Sequence, residues 1–329
     1  MTNFNIELHE KLHEDFNAKL ATGTNVLQSN AMLVQLNISC CGFERKDVKI
    51  SEQVNREHGT SNRASKLIKH LFDPKDTEGP QKVARAARET HARLTLPSPF
   101  GKARLLPVTM YERYVSEMDQ HKVAFDREVN DFIETTPRLK ENAKVDLNGM
   151  YKESDYAFLD TIEDRYTFKR LVTPVPSGGN FIADLIDSEI TTIKDDIEEA
   201  NKAMLDNAVQ DSFSKLHTAV KHIADSLDGY TVERVRKAGG KWKNEPSRRL
   251  YDSMLGNLAD LIDVLPALNI TNDVKLDGLI ADIKASDILK HDVATFKQPD
   301  NAAVVKAVQS EANEIADKMA GFFGATNNE

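Results

Sequence analysis

A chain of 329 residues has room for two ordinary domains or for one elongated helical domain. Its hydrophobic share of 40% and charged share of 29% exclude a disordered polar chain, and a net charge of -9 argues against a surface given over to polyanions. Only 15 glycines and 11 prolines punctuate it, as a few long helices would require.

Taken in chain order, residues 3 to 20 place Ile6, Leu8, Leu12, Phe16 and Leu20 near one helical face. The stretch from 20 to 43 lacks charged side chains. Thr22, Asn25, Gln28, Asn30, Gln35 and Asn37 run through it, so it is not expected to cross a membrane. Val34, Leu36, Ile38 and Cys40 alternate with polar neighbours, which predicts one strand near 32 to 41. Helices are expected at 61 to 72 and 80 to 94, separated by the breaker-rich DPKDTEGP, and Pro97, Pro99 and Pro107 frame a loop.

Val108, Tyr111, Val115, Met118, Lys122, Phe125, Val129 and Phe132 form a heptad seam with one polar intrusion. Pro137 is expected to interrupt that helix, and another is expected over 154 to 170. PVPSGGN at 174 to 180 suggests a linker, giving regions 1–175 and 176–329 unless the whole is one continuous elongated domain. A helix of roughly 181 to 228 follows. Ile186, Ile190, Ile193, Ile197, Ala200 and Met204 form its first seam, and Val209, Phe213, Leu216, Val220, Ile223 and Leu227 its second. Beyond a turn at Gly239-Gly240, helices are expected at 246 to 266, after an Asn272 or Asp273 cap, and over 302 to 323.

The motifs for chemistry are weak. His9 and His13 satisfy HExxH, but Lys11, Glu14 and Asp15 mark a charged surface helix, and no third ligand has the right spacing. A zinc hydrolase is therefore the last of the readings. Adjacent Cys40 and Cys41 point to opposite faces of a strand and cannot form a disulfide framework, which fits a reducing compartment. The N-terminus lacks the apolar core of a signal peptide. Neither Gly101-Lys102 nor Gly239-Gly240-Lys241 completes a phosphate loop. No catalytic residue, cofactor or metal site is assigned.

Charge is more informative. Residues 56 to 104 carry eleven Lys/Arg against five acids, and residues 184 to 211 carry nine acids against two lysines. Arg234, Arg236, Lys237, Lys241, Lys243, Arg248 and Arg249 surround Trp242, the one tryptophan. Basic side chains with an exposed aromatic can hold single-stranded nucleic acid, or can dock on an acidic helix. The contact residues under either reading are Arg85, Arg88, Arg93, Arg236, Lys237, Lys241, Trp242, Lys243, Arg248 and Arg249.

Five segments carry a family resemblance: LNISCCGFERKDVKI (36–50), SNRASKLIKHLFD (61–73), TLPSPFGKARLLPVTMYERYV (95–115), PVPSGGNFI (174–182) and RRLYDSMLGNLADLIDVLPALNITNDVKL (248–276). The chain resembles, over about 31 to 285, a family of phage and proteobacterial helical proteins of uncharacterised function. Such proteins are often encoded beside a MoxR- or cobaltochelatase-like AAA+ ATPase and a von Willebrand A-type protein. The resemblance implies those two as partners and carries over no catalytic residue.

The expected fold is mainly all-α, an elongated helical bundle with long coiled-coil-like helices and a small β element near 32 to 41. The expected function is a non-enzymatic, phage-encoded assembly or adaptor protein in the cytoplasm of a bacterial host, acting through helix packing or self-association. The alternatives are a nucleic-acid-associated protein using segments 56–104 and 234–249, and a virion structural protein.

Overall fold

The computed structural model describes residues 27–177, 187–237 and 242–325. The helix expected at 3 to 20, the HExxH motif and the Gly239-Gly240 turn lie outside the described residues. In order, the elements are β1 (Ala31–Ser39), β2 (Glu44–Lys46), α1 (Val48–Glu57), β3 (Ile68–His70), α2 (Pro74–Leu94), β4 (Arg104–Pro107), α3 (Tyr111–Leu147), β5 (Thr167–Pro174), α4 (Asp187–Leu227), β6 (Val232–Arg236), β7 (Trp242–Pro246), α5 (Ser253–Leu268), α6 (Val274–Ala285), α7 (Val293–Phe296) and α8 (Ala302–Ala325).

The all-α expectation is corrected. Of the described residues 66% are helical and 14% are strand, arranged in several small antiparallel sheets, so the fold is mixed α/β. Short charged strands explain the difference. Glu44–Lys46 and Val232–Arg236 give no two-residue alternation of apolar and polar side chains, because both of their faces are polar. The Arg104–Pro107 strand sits among prolines that suggest only a loop.

The chain divides into two compact units, each assembled from separate stretches. The first takes residues 1–34, 93–111 and 172–329, and the second takes 35–92 and 112–171. In the first, the start of β1 pairs antiparallel with β4, Ala31 opposite Pro107 and Val34 opposite Arg104. Its core gathers around α4, with Leu216, Val220 and Ile223 fully buried against Leu258, Leu265, Val308 and Met319. The pairing is intrachain: α8 and α5 both pack on α4. Gly229, at φ +60°, ends α4 in a conformation that disfavours a side chain.

In the second unit α3 runs without a break through Pro137. The apolar seam is real, but its phase differs from the expected one. Tyr114, Met118, Phe125, Val129, Phe132, Thr136, Leu139 and Ala143 are buried. Val108 and Tyr111 are exposed instead, and Lys122 lies in water, paired with Asp126 at 2.5 Å. Half-buried His121 stands at the missing seam position and bonds Thr90 at 2.9 Å. Phe43, Phe72 and Phe132 pack ring against ring on this helix, with centroids 5.1 to 6.0 Å apart. The region expected as a helix over 154 to 170 is instead short 3-10 turns followed by β5.

No helix forms at 61 to 72, which is turn and then β3; the helix before it, α1, buries polar rather than apolar side chains. Asp47 caps it by accepting from the Ile50 amide at 3.2 Å. Buried Ser51 accepts from the Leu67 amide, and buried Asn55 binds both Ser65 and Thr60. This face supplies partners for the backbone of the following loop, a role that apolar periodicity cannot reveal. The supposed breaker DPKDTEGP is the start of α2, with Pro74 at its first position, where a missing N–H costs nothing.

A buried ion cluster ties these pieces together. Lys69 of β3, 4% exposed, lies 2.6 Å from Asp155 and 3.9 Å from Asp47, and it donates to the Met150 carbonyl at 2.7 Å. Lys69→Met leaves the Asp155 carboxylate without its close partner, while Asp47 keeps the Ile50 amide and Lys152, and is expected to cost about 3 kcal/mol, read as a lower urea midpoint. The Ile50 amide chiefly holds the Asp47 carboxyl below its ordinary value, and Lys152 and Lys69 add to this. The stability it contributes is therefore present above about pH 4 and fades as pH falls through the lowered value. An acid titration of Asp47→Asn should lack that part of the loss.

Candidate interaction surfaces

The basic segment from 56 to 104 does not form one surface. Lys69 is consumed by the buried cluster, and Lys82 pairs with Glu78. Arg88, exposed on α2, donates to the Ile38 carbonyl at 2.9 Å. Arg104 is turned inward onto Thr95, bonding its hydroxyl at 2.7 Å, and burial lowers its pKa. Arg85 lines a cleft of about 480 Å³ in the second unit, with Phe43, Arg45, His70 and Phe72. Arg93 is half-buried and belongs to the first unit. Arg85 and Arg88 thus lie exposed three residues apart on α2, whereas Arg93, further along that helix, is half-buried.

The later cluster is brought together. β6 and β7 form a hairpin in the first unit, with Arg236 directly opposite Trp242 and Arg234 opposite Asn244. Side chains alternate between faces, so Val232, Arg234, Arg236, Trp242 and Asn244 share one face, and Glu233, Val235, Lys243 and Glu245 share the other. Arg234 and Arg236 lie over the indole at 5.7 and 6.0 Å from the ring centroid. Trp242 remains 58% exposed. On the opposite face Lys237 pairs with Glu245, and this bond holds the Glu245 carboxyl below its usual value. Lys243 is exposed there, and Lys241 lies outside the described residues.

A two-stranded ribbon is marginal in water by itself, and here its base is tied down. The Thr231 amide donates to Ser247 Oγ at 3.0 Å, and the Ser247 amide donates to the Thr231 carbonyl at 2.8 Å. Val232 packs on the core, and Asn244 donates to Gln298 at 3.3 Å. Arg248 has a structural task, since its guanidinium donates to the carbonyls of Asp225 and Asp228 at the end of α4. Arg249 stacks on Tyr251 at 4.9 Å, and that ring is 58% exposed. Sequence reasoning missed Tyr251, for which the alternation Arg249-Leu250-Tyr251 about buried Leu250 was the available signal.

A third surface lies on α4. Nothing from residue 188 to 200 is buried, and Ile190, Ile193, Ile197 and Ala200 form a half-buried stripe. Five carboxylates and one lysine accompany it over the same residues. Burial begins at Asn201, which donates to the Pro176 carbonyl at 3.0 Å.

Cys41 is buried and Cys40 half-buried, and burial pushes both thiols up, away from the thiolate form a nucleophile needs. Among the described residues no group of three or more His, Cys, Asp or Glu is placed to hold a metal ion. Among them too, no helix is long and apolar enough to cross a membrane. No protein-family model, curated protein or solved structure matches the chain. The family resemblance therefore rests on its five sequence segments alone.

Arg248→Ala removes two charge-assisted bonds at the end of α4. At this exposed position it is expected to cost about 1 kcal/mol and to speed amide exchange at residues 225 to 230.

Proposed function

We propose that this chain is a non-enzymatic helical adaptor of the cytoplasm, which receives a basic amphipathic helix of a partner protein on the first part of α4. One observation carries the reading: an isoleucine stripe on an acidic helix that is half-buried over residues 188 to 200 and fully packed beyond them. Length gives the physical reason. At 41 residues α4 spans about 60 Å, whereas the 24 residues of α8 span about 36 Å. So α8 cannot cover α4 from end to end.

Glu189, Asp195, Asp196, Glu198 and Glu199 select the charge of the partner. A lysine- or arginine-rich helix with its own apolar stripe would gain both area and steering, whereas a second copy of this acidic stretch would be repelled. The AAA+ ATPase or the von Willebrand A-type protein implied by the resemblance would be the source of such a helix.

The test uses the full chain and a labelled amphipathic peptide built from lysine-rich heptads. Binding is expected at low salt and should weaken at least tenfold in a variant carrying Ile193→Glu and Ile197→Glu. An acidic peptide of the same apolar pattern should not bind. Equal affinity of the two protein forms for the basic peptide would overturn the proposal, since neither isoleucine is buried and the variant should fold.

A further inference from the structure

The β6–β7 hairpin has a feature that helix docking does not use. Its two faces differ in electrostatic character. On one, Glu233 and Glu245 balance Lys237 and Lys243, with Lys237 and Glu245 in contact. On the other, no carboxylate pairs with Arg234 or Arg236 among the described residues, and both guanidiniums lie over an indole that is still 58% exposed. A hairpin needing charge only for solubility would balance both faces, and one needing an aromatic for stability would bury it.

We infer that Arg234, Arg236 and Trp242 form a binding site for single-stranded nucleic acid, with an unpaired base stacking on the Trp242 ring and the two guanidiniums meeting its flanking phosphates. The chemistry matches each part of the site. A base offers a flat π surface to an indole whatever its identity, and arginine forks fit phosphate oxygens in pairs. Duplex bases are already stacked on each other and are denied to the ring. An acidic peptide would satisfy the arginines and leave the indole without a role.

The anchored base supports the same reading. Val232 and Asn244, on the same face as the three site residues, hold the ribbon to the body of the unit through the core and Gln298. The distal residues Arg234, Arg236 and Trp242 are thereby presented to solvent from a fixed root, which lowers the entropy lost on binding.

Because the chain has one tryptophan, its emission reports this site alone. The full-length protein is titrated with dT15 and with rU15 at low salt, following Trp242 emission. Saturable quenching is expected with both, or with one if the sugar matters. The affinity should fall with salt at a slope of about −0.7 per phosphate neutralised, hence about −1.4 for two arginines. Arg234→Ala and Arg236→Ala should each remove about half of that slope.

With a labelled oligonucleotide followed by anisotropy, Trp242→Ala should bind about tenfold more weakly. Trp242→Phe should recover most of the loss, and Lys243→Ala, on the opposite face, should change affinity less than twofold. Absence of quenching by either strand at low salt would overturn the inference. So would duplex DNA binding as tightly as dT15, polyglutamate quenching equally, or Lys243→Ala weakening binding as much as Arg234→Ala. These outcomes are independent of the peptide test on α4.

Discussion

A helix of forty residues carries an apolar stripe longer than a neighbour of ordinary length can cover, and both units are organised by that constraint. In the second, the stripe of α3 from Tyr114 to Ala143 is buried except at His121, which is half-buried. Its cover is a mosaic of β-strand side chains, aromatic rings and 3-10 turns. In the first, α8 and α5 pack on α4, and among its described residues full burial begins only at Asn201. The same requirement has thus two outcomes, closure by many short pieces or a remainder left half-wet.

The long apolar periodicities were legible. The helices around α4, α5, α6 and α8 follow from spacing and from Asp273, which caps α6 by accepting from the amides of Lys275 and Leu276. What escaped was structure held by polar groups. α1 buries Ser51 and Asn55, so its inward face looks like an outward one. Lys69 in a strand centre gives no apolar signal, yet the second unit closes around it. Prolines misled in both directions: Pro74 starts α2, and Pro137 sits inside α3 without ending it. Near it, Thr135 and Thr136 both donate their hydroxyls to the Phe132 carbonyl.

The candidate sites were legible as charge clusters and not as surfaces. Counting cations along the chain treats Arg88, Lys69 and Arg104 alike. Yet the first bonds a strand carbonyl, the second is enclosed, and the third is folded onto Thr95. By contrast, the residues about Trp242 alternate along two strands. Their separation by face follows from hairpin register, which was not foreseen because the strands are so polar. A cluster in sequence becomes a site only when an element aims its members the same way.

Neither unit is a continuous length of chain. The second can be complete once residue 171 has left the ribosome, whereas the first needs its opening stretch to wait for everything after residue 172. Residues such as Leu33 and Leu106, both buried, are therefore made long before the α4–α8 core of their unit exists. During synthesis these early apolar residues are exposed to solvent or to chaperones. For the same reason a truncation placed between residues 172 and 187 does not yield an independent N-terminal half. It leaves residues 93 to 111, with Leu94, Leu96 and Leu105, stripped of the rest of their own unit.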